Sequence, residues 1–443
     1  MSRFVAVAAL SCVVFACGRP RPMGDGGTIE DDAGIPEVDA GWVRGDDPTN
    51  GWQVVAELPT AAGASEKLGV SVASAPDQFG QPLIAALSED PNGDSNYDDN
   101  RVVFTRWNGS ARAFLPLATI ETVGGGAAQN PNRQISIVRD AMTNRIGIAY
   151  IKPQDNTVRL AISDDDGANF SLSTVSDVPR AALMSNPSLA MANGVAHLAW
   201  IQGSDLMYRS RMGAGAWVDG SPGSGIVVGG ESVSLALDST GAAGVAFFVN
   251  SALNTADLAF WRPGALPLTV ASANGLDLTT PDTRRPSVSL TFEGTTPHVA
   301  FHLRNVEPSA MTDQTPELFY AKATNPAGST WNAPVAIPRN GSATTFHRTA
   351  WYQAITLDST GRVNIAANFQ GNGAQSNCGG PKLSRATDGM TFTTCSPASS
   401  QLQIGGAWIS MWPHRPGKQT IVFHYDNRAN PNLKPGIVMW REP

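Results

Sequence analysis

Apolar and polar residues alternate along most of this chain. "VSLALDSTGAAGVAFF" (233–248) and "QAITLDSTGRVNIAAN" (353–368) each place two alternating runs around a shared "LDSTG" turn. A period of two predicts β-strands with one buried face. No stretch sustains a helical period. The same two-run unit returns with other turns as "ISIVRDAMTNRIGIAYI" from Ile135, "PSLAMANGVAHLAWI" from Pro187 and "PSVSLTFEGTTPHVAFHL" from Pro286. A third run follows each pair: "RVVFTRW", "VRLAIS", "LMYRS", "LAFW", "LFYAK", "KLSRA" and "IVMW". A fourth, often opening on an aromatic residue, comes after a short turn: "FSLSTV", "AWV", "PLTV", "TWNAPVAI" and "TFTTC".

The unit is therefore four antiparallel strands, returning roughly every 45–65 residues, which predicts the blades of a β-propeller. One such blade cannot bury both faces, so blades must stack in a ring. Units start near Leu68, Arg133, Pro187, Glu231, Arg285, Thr349 and Ala407. We therefore expect an all-β, seven-bladed propeller over 51–443, with six or eight blades as alternatives. The last unit lacks a fourth strand, and "GWQVVAEL" from Gly51 has the missing pattern. Pairing it into the final blade would close the ring and cover a sheet edge. Trp52, Val54 and Ala56 are expected on one side of that strand, and Gln53, Val55 and Glu57 on the other.

The first 50 residues read differently. "MSR" followed by the apolar "FVAVAALSCVVFA" has signal-peptide length and is short for a membrane span. "VFAC" resembles the bacterial lipobox, which implies cleavage before Cys17 and a lipid on that cysteine. Phe15 is bulkier than the motif prefers; a plain secretory signal and an uncleaved anchor are the alternatives. No aspartate follows Cys17, so the resemblance implies the outer membrane. Residues 18–50 are acidic and without apolar periodicity, which predicts a disordered tether. Four of the 31 basic and eight of the 38 acidic residues fall in the first 50, leaving the propeller close to neutral. There is no basic excess to suit nucleic acid. An exported chain sits where disulfides persist. Cys378 and Cys395 flank an expected hairpin turning at Asp388-Gly389, so we expect them to be bridged.

"SDDDGANF" (163–170) falls between the third and fourth strands of the second unit. It fits Ser-x-Asp-x-Gly-x-x-aromatic and resembles the Asp-box, or bacterial neuraminidase repeat, of sialidase-like propellers. The local physics suits a turn. Ser163 and Asp165 can bond turn backbone, Gly167 permits a positive φ, and Phe170 packs beneath. Asp164 and Asp166 are then solvated neighbours. "TNPAGSTW" (324–331) has Pro326 in the Asp place, "RATDGMTF" has Thr387 there, and "SRMGAGAW" keeps only Ser210 and Trp217. The resemblance implies that this turn lies opposite any active site.

Ligands of such rings usually sit where loops enter the inner strand and join the second strand to the third. The latter are long at 89–100, 304–317, 370–380 and 426–436, good recognition material or tolerated insertions. Arg133, Arg284 or Arg285, and Arg348 recur near inner-strand entries. In sialidases three arginines grip a carboxylate bidentately; surface arginines bonding loop carbonyls are the alternative. A tyrosine nucleophile needs a carboxylate base, and Tyr425 with Asp426 or Tyr97 with Asp98 or Asp99 would supply the pair. Glu66, Glu231 and Glu317 are further carboxylates for glycoside chemistry. The family's early Arg-Ile-Pro element is absent. No phosphate loop, HExxH or zinc spacing is present, and His197, His298, His302 and His424 lie on expected strands as polar filling. No metal and no cofactor are expected. The reading is a monomeric, envelope-anchored binding module for a glycan or protein; the alternatives are a sialidase-like hydrolase and a structural subunit of an envelope complex.

Overall fold

A computed structural model describes residues 51–58, 67–91, 98–125, 135–176, 184–223, 228–252, 255–273, 287–302, 318–337, 347–349, 353–371, 380–395, 409–425 and 436–443. These residues form no helix and build seven antiparallel sheets, the blades of a β-propeller. The innermost strands are Lys67–Pro76, Ser136–Arg139, Met184–Ala192, Val228–Leu237, Ser287–Glu293, the pair His347–Thr349 and Ala354–Leu357, and Ile409–Arg415. Blade 3 shows the pattern. Met184–Ala192 pairs with Val195–Gln202, that strand with Asp205–Met212, and the last with Val218–Asp219.

The buried apolar residues divide into seven clusters, each drawn from two neighbouring blades. Leu235, Val245 and Phe247 of blade 4 meet Ala199, Ile201 and Tyr208 of blade 3. Each sheet thus buries both faces against its neighbours, as the period-two pattern of a lone blade could not.

The ring closes through the N-terminal strand. Gly51–Glu57 pairs antiparallel with Gly436–Arg441, from Gly51 opposite Arg441 to Glu57 opposite Gly436. Strict alternation is corrected here. The register slips between Val54 and Ala56, so Val55 is a bulged residue. Val55 is buried and Ala56 packs on the same core, while Val54 is 49% exposed. Val54 and Ala56 therefore do not share a face.

Strand histidines occupy polar core positions. The buried His424 ring donates from Nδ1 to Leu68 O at 2.6 Å, across the junction of blades 7 and 1. His298 shares a 2.7 Å bond with Tyr320, and His197 makes the same bond with Tyr208 two blades earlier. Burial pushes the His298 pKa down to about 4, so the ring is neutral at pH 7.

Candidate functional site

The aspartate-rich turn is structural. Ser163 Oγ donates to Asp165 Oδ1 at 2.8 Å and accepts from the Gly167 amide at 2.8 Å. Asp165 Oδ1 also accepts from the Asn169 amide at 2.9 Å, and Oδ2 from Asn169 Nδ2 at 2.8 Å. The Asn169 side chain, its amide and Ser163 hold the Asp165 pKa down to about 2. Both carboxylate oxygens are spent inside the turn. Asp164 pairs with Arg145 at 2.6 Å on the surface.

Gly167 has φ +82°, and a Cβ there would stand 2.3 Å from the Phe104 ring of blade 1. Phe170 meets that same ring edge-on at 5.2 Å. The turn is thus a wedge driven between two blades, more than a cap on its own. Gly167→Ala combines backbone strain with a clash, and we expect a loss of about 2 kcal/mol by chemical denaturation. An unchanged midpoint would show that the wedge bears no stability.

Two of the three degenerate copies keep this wedge. Trp331 meets Phe260 at 5.7 Å and Phe392 meets Tyr320 at 5.4 Å, each in the preceding blade. Gly328 (φ +67°) lies beneath the Phe260 ring as Gly167 lies beneath Phe104. Their turn acceptors sit one position away from Asp165's place. Asn325 accepts from the Ser329 amide at 3.2 Å, and Asp388 from the Met390 and Thr391 amides at 2.8 Å each.

The "LDSTG" turns link blades as well. Asp238 accepts from the Thr240 and Ala242 amides and from Arg262, whose guanidinium also reaches Thr295 O and Pro326 O of blade 5 at 3.1 Å each. Asp358 and Arg362 repeat this, with Arg362 on Gly417 O of blade 7 at 2.8 Å. An up-and-down blade places its first and third turns at one end, so these aspartates and the Asp-box share a face.

On the ring axis lies a cavity of about 300 Å³. All seven blades line it, through eight serines, Gln353 and aliphatic side chains, and none of the lining residues is titratable. Each inner strand is the edge of its sheet or lies beside that edge, so its axial backbone lacks a ladder partner. Serines of the preceding blade supply one. The amides of Ile135, Leu189, Leu235, Leu290 and Ile355 donate to Ser71, Ser136, Ser188, Ser234 and Ser289 at 2.9–3.2 Å. Thr356 donates to Gln419 between blades 6 and 7 at 3.0 Å, and the Ser74 amide to Ser410 between blades 7 and 1 at 3.0 Å. Six of the seven junctions carry a serine–amide bond among the described residues, and the junction of blades 6 and 7 carries the Thr356–Gln419 side-chain bond instead. The sequence reading missed this belt, although "ISIV", "PSLA", "VSLAL", "PSVSL" and "ISMW" all carry its serine.

Of the expected ligand residues, Arg133, Arg285 and Asp426 lie outside the described residues, as do Arg284, Tyr97, Glu66 and Glu317. Arg348 sits in the strand His347–Thr349 opposite Gln370, and Tyr425 ends the strand Lys418–Tyr425; their side chains, like that of Glu231, are outside the description. Asp98 is an exposed turn residue whose carbonyl lies near Gly124. Cys17 is also outside. The expected hairpin forms, with Cys395 across from Leu383; Cys378, and with it the expected disulfide, lies outside the described residues. Among the described residues, no three His, Cys, Asp or Glu side chains group as metal ligands.

A tyrosine–carboxylate pair does occur, at a place the sequence reading did not single out. Tyr150 Oη donates to Glu121 Oε2 at 2.6 Å, and Lys152 and Arg159 reach Oε1 at 2.9 and 3.0 Å. Burial pushes the Tyr150 phenol well above its usual range, and the Glu121 bond and charge push it further. Burial also acts to raise Glu121, but its three donors outweigh that and leave its pKa lowered. A nucleophilic phenol needs the opposite shift. The pair ties the outermost strand of blade 1, Ala118–Thr122, to blade 2.

No family model matches the chain. No curated protein matches it either. Among solved structures, a lectin from Burkholderia pseudomallei is 13% identical, with 81% of this chain and 93% of that one covered and a TM-score of 0.49. A Dyadobacter fermentans protein of unknown function is 10% identical over 88% of this chain and 98% of its own, with a TM-score of 0.46. A Hadza microbial sialidase is 10% identical over 88% of this chain and 68% of its own, also with a TM-score of 0.46.

Proposed function

We propose that this chain is a non-catalytic binding module that recognises a glycan, tethered to the bacterial envelope by a lipid on Cys17. One observation carries the first half. The acids and bases of the described Tyr150–Glu121 cluster and aspartate turns are bonded into blade junctions and turns, while the axial cavity is lined by serine hydroxyls, the bonded Gln353 amide and apolar side chains, with no titratable group. General acid–base catalysis needs a free titratable group facing the ligand; recognition of an uncharged sugar needs only hydrogen-bonding groups. The length of the sequence segments between second and third strands also favours recognition. A sialidase-like hydrolase is the second reading, favoured by the Asp-box geometry at Ser163–Phe170 and the arginines of the inner-strand entries.

Glycan-array screening of the 51–443 fragment tests the binding reading, with selective retention expected. Capture of a protein partner with no glycan retained would overturn it. For the anchor, Cys17→Ser is expected to move the protein from the membrane fraction to the soluble one. Unchanged fractionation, with no acyl label on the wild type, would contradict the lipid.

A further inference from the structure

We infer that the axial cavity is itself a ligand site, and that it takes an uncharged, hydroxyl-rich molecule of about one pyranose or cyclitol ring. The inference rests on the binding reading above and names the ligand class.

The lining decides the chemistry. A clasp serine accepts a backbone amide at Oγ, which leaves its O–H free to turn toward the axis. Ser136, Ser234 and Ser289 are half-buried at the cavity wall and present such donors. Gln353 contributes none. Its amide protons go to Ser287 O and Ala300 O, and its oxygen accepts from Ser287 Oγ. The inner strands bring backbone carbonyls to the same wall. Donors and acceptors side by side suit hydroxyl groups, which do both. A carboxylate or an amine would enter with no countercharge in the lining, and burying an unpaired charge is costly. An apolar ligand would strand the hydroxyls.

Size agrees. About 300 Å³ equals roughly ten waters at their liquid volume, enough for a single sugar ring that displaces them. The Oγ of the clasp serines that line the wall is tied to the neighbouring blade, so binding costs little further side-chain ordering.

The test uses the 51–443 chain. D-glucose, D-galactose, D-mannose and myo-inositol are titrated by calorimetry, with D-gluconate and D-glucosamine as the charged counterparts. We expect saturable binding of at least one neutral probe, and at least about tenfold weaker binding of the charged pair. Ala354 lines the cavity and also packs on the core between blades 6 and 7. Ala354→Leu adds bulk to the wall from blade 6 without removing a clasp bond, and is expected to abolish binding in a chain that still melts cooperatively, at a somewhat lower temperature. Ala73, which lines the cavity and packs on the core between blades 1 and 2, is the second site: Ala73→Leu adds bulk from blade 1 and serves if the first variant does not fold. Full binding in a folded, filled variant would overturn the cavity site while leaving the binding module standing. A charged probe that binds as well as the neutral ones, stabilisation by potassium or calcium ions instead of any sugar, or binding of no neutral probe by a chain that retains array glycans would also overturn it. Retention of no array glycan would remove the parent reading instead.

Discussion

Removal of residues 51–58 is expected to cause the largest loss of stability of any change considered. The segment contributes the buried Val55 and Leu58 to the core between blades 7 and 1, beside Leu68, Ile437 and Met439. Burying two such side chains stabilises by about 3–6 kcal/mol. Deletion also uncovers the strand Gly436–Arg441, so a ladder of backbone bonds is lost and an unpaired edge appears. A domain's whole margin is only about 5–15 kcal/mol. The 59–443 chain should therefore unfold near ambient temperature or aggregate. Removing 18–50 alone should leave the melting temperature unchanged. Equal melts for the two truncations would mean that the strand is not what closes the ring.

The second large effect is expected at Gln353. Its side chain is buried and makes three bonds that join blade 6 to blade 5, at 2.6, 2.7 and 2.9 Å. Leucine has nearly the same volume, so Gln353→Leu removes the bonds without opening a cavity. Groups buried without a partner cost about 1–3 kcal/mol each, and a total loss of about 3–4 kcal/mol is expected in urea melts. Ser136→Ala, which removes one bond at a half-buried position, should cost about 1 kcal/mol. Equal losses for the two would mean that the belt does not hold the blades through its buried bonds.

The ring was legible in the sequence because its signals are local. Period-two alternation placed all seven inner strands, and "LDSTG" and "SDDDGANF" marked turns whose bonding the side chains of Asp238, Asp358 and Asp165 carry out. The bulge at Val55 was not legible, since alternation alone cannot say where a register slips. The degenerate boxes were read at fixed positions, and Pro326 and Thr387 then looked like losses; the turns had moved their acceptor to Asn325 and Asp388. The serine belt was missed for another reason. A strand serine reads as a solvent-facing residue, and only the assembled ring shows that each one meets the amide of the next blade. Tyr150 and Glu121, 29 residues apart, belong to different blades, so no spacing pattern joins them. The arginine trio rested on loose alignment; Arg133 and Arg285, and the side chain of Arg348, lie outside the described residues.

The central claim is that this propeller binds without cleaving. The direct measurement is proton NMR of an array-positive glycan, and of a sialylated oligosaccharide, held with the 51–443 chain over a day at pH 5 and pH 7. The account predicts line broadening or saturation transfer on the retained glycan and no new anomeric signals. Release of a free reducing sugar or sialic acid that scales with protein concentration would contradict it and make the chain an enzyme.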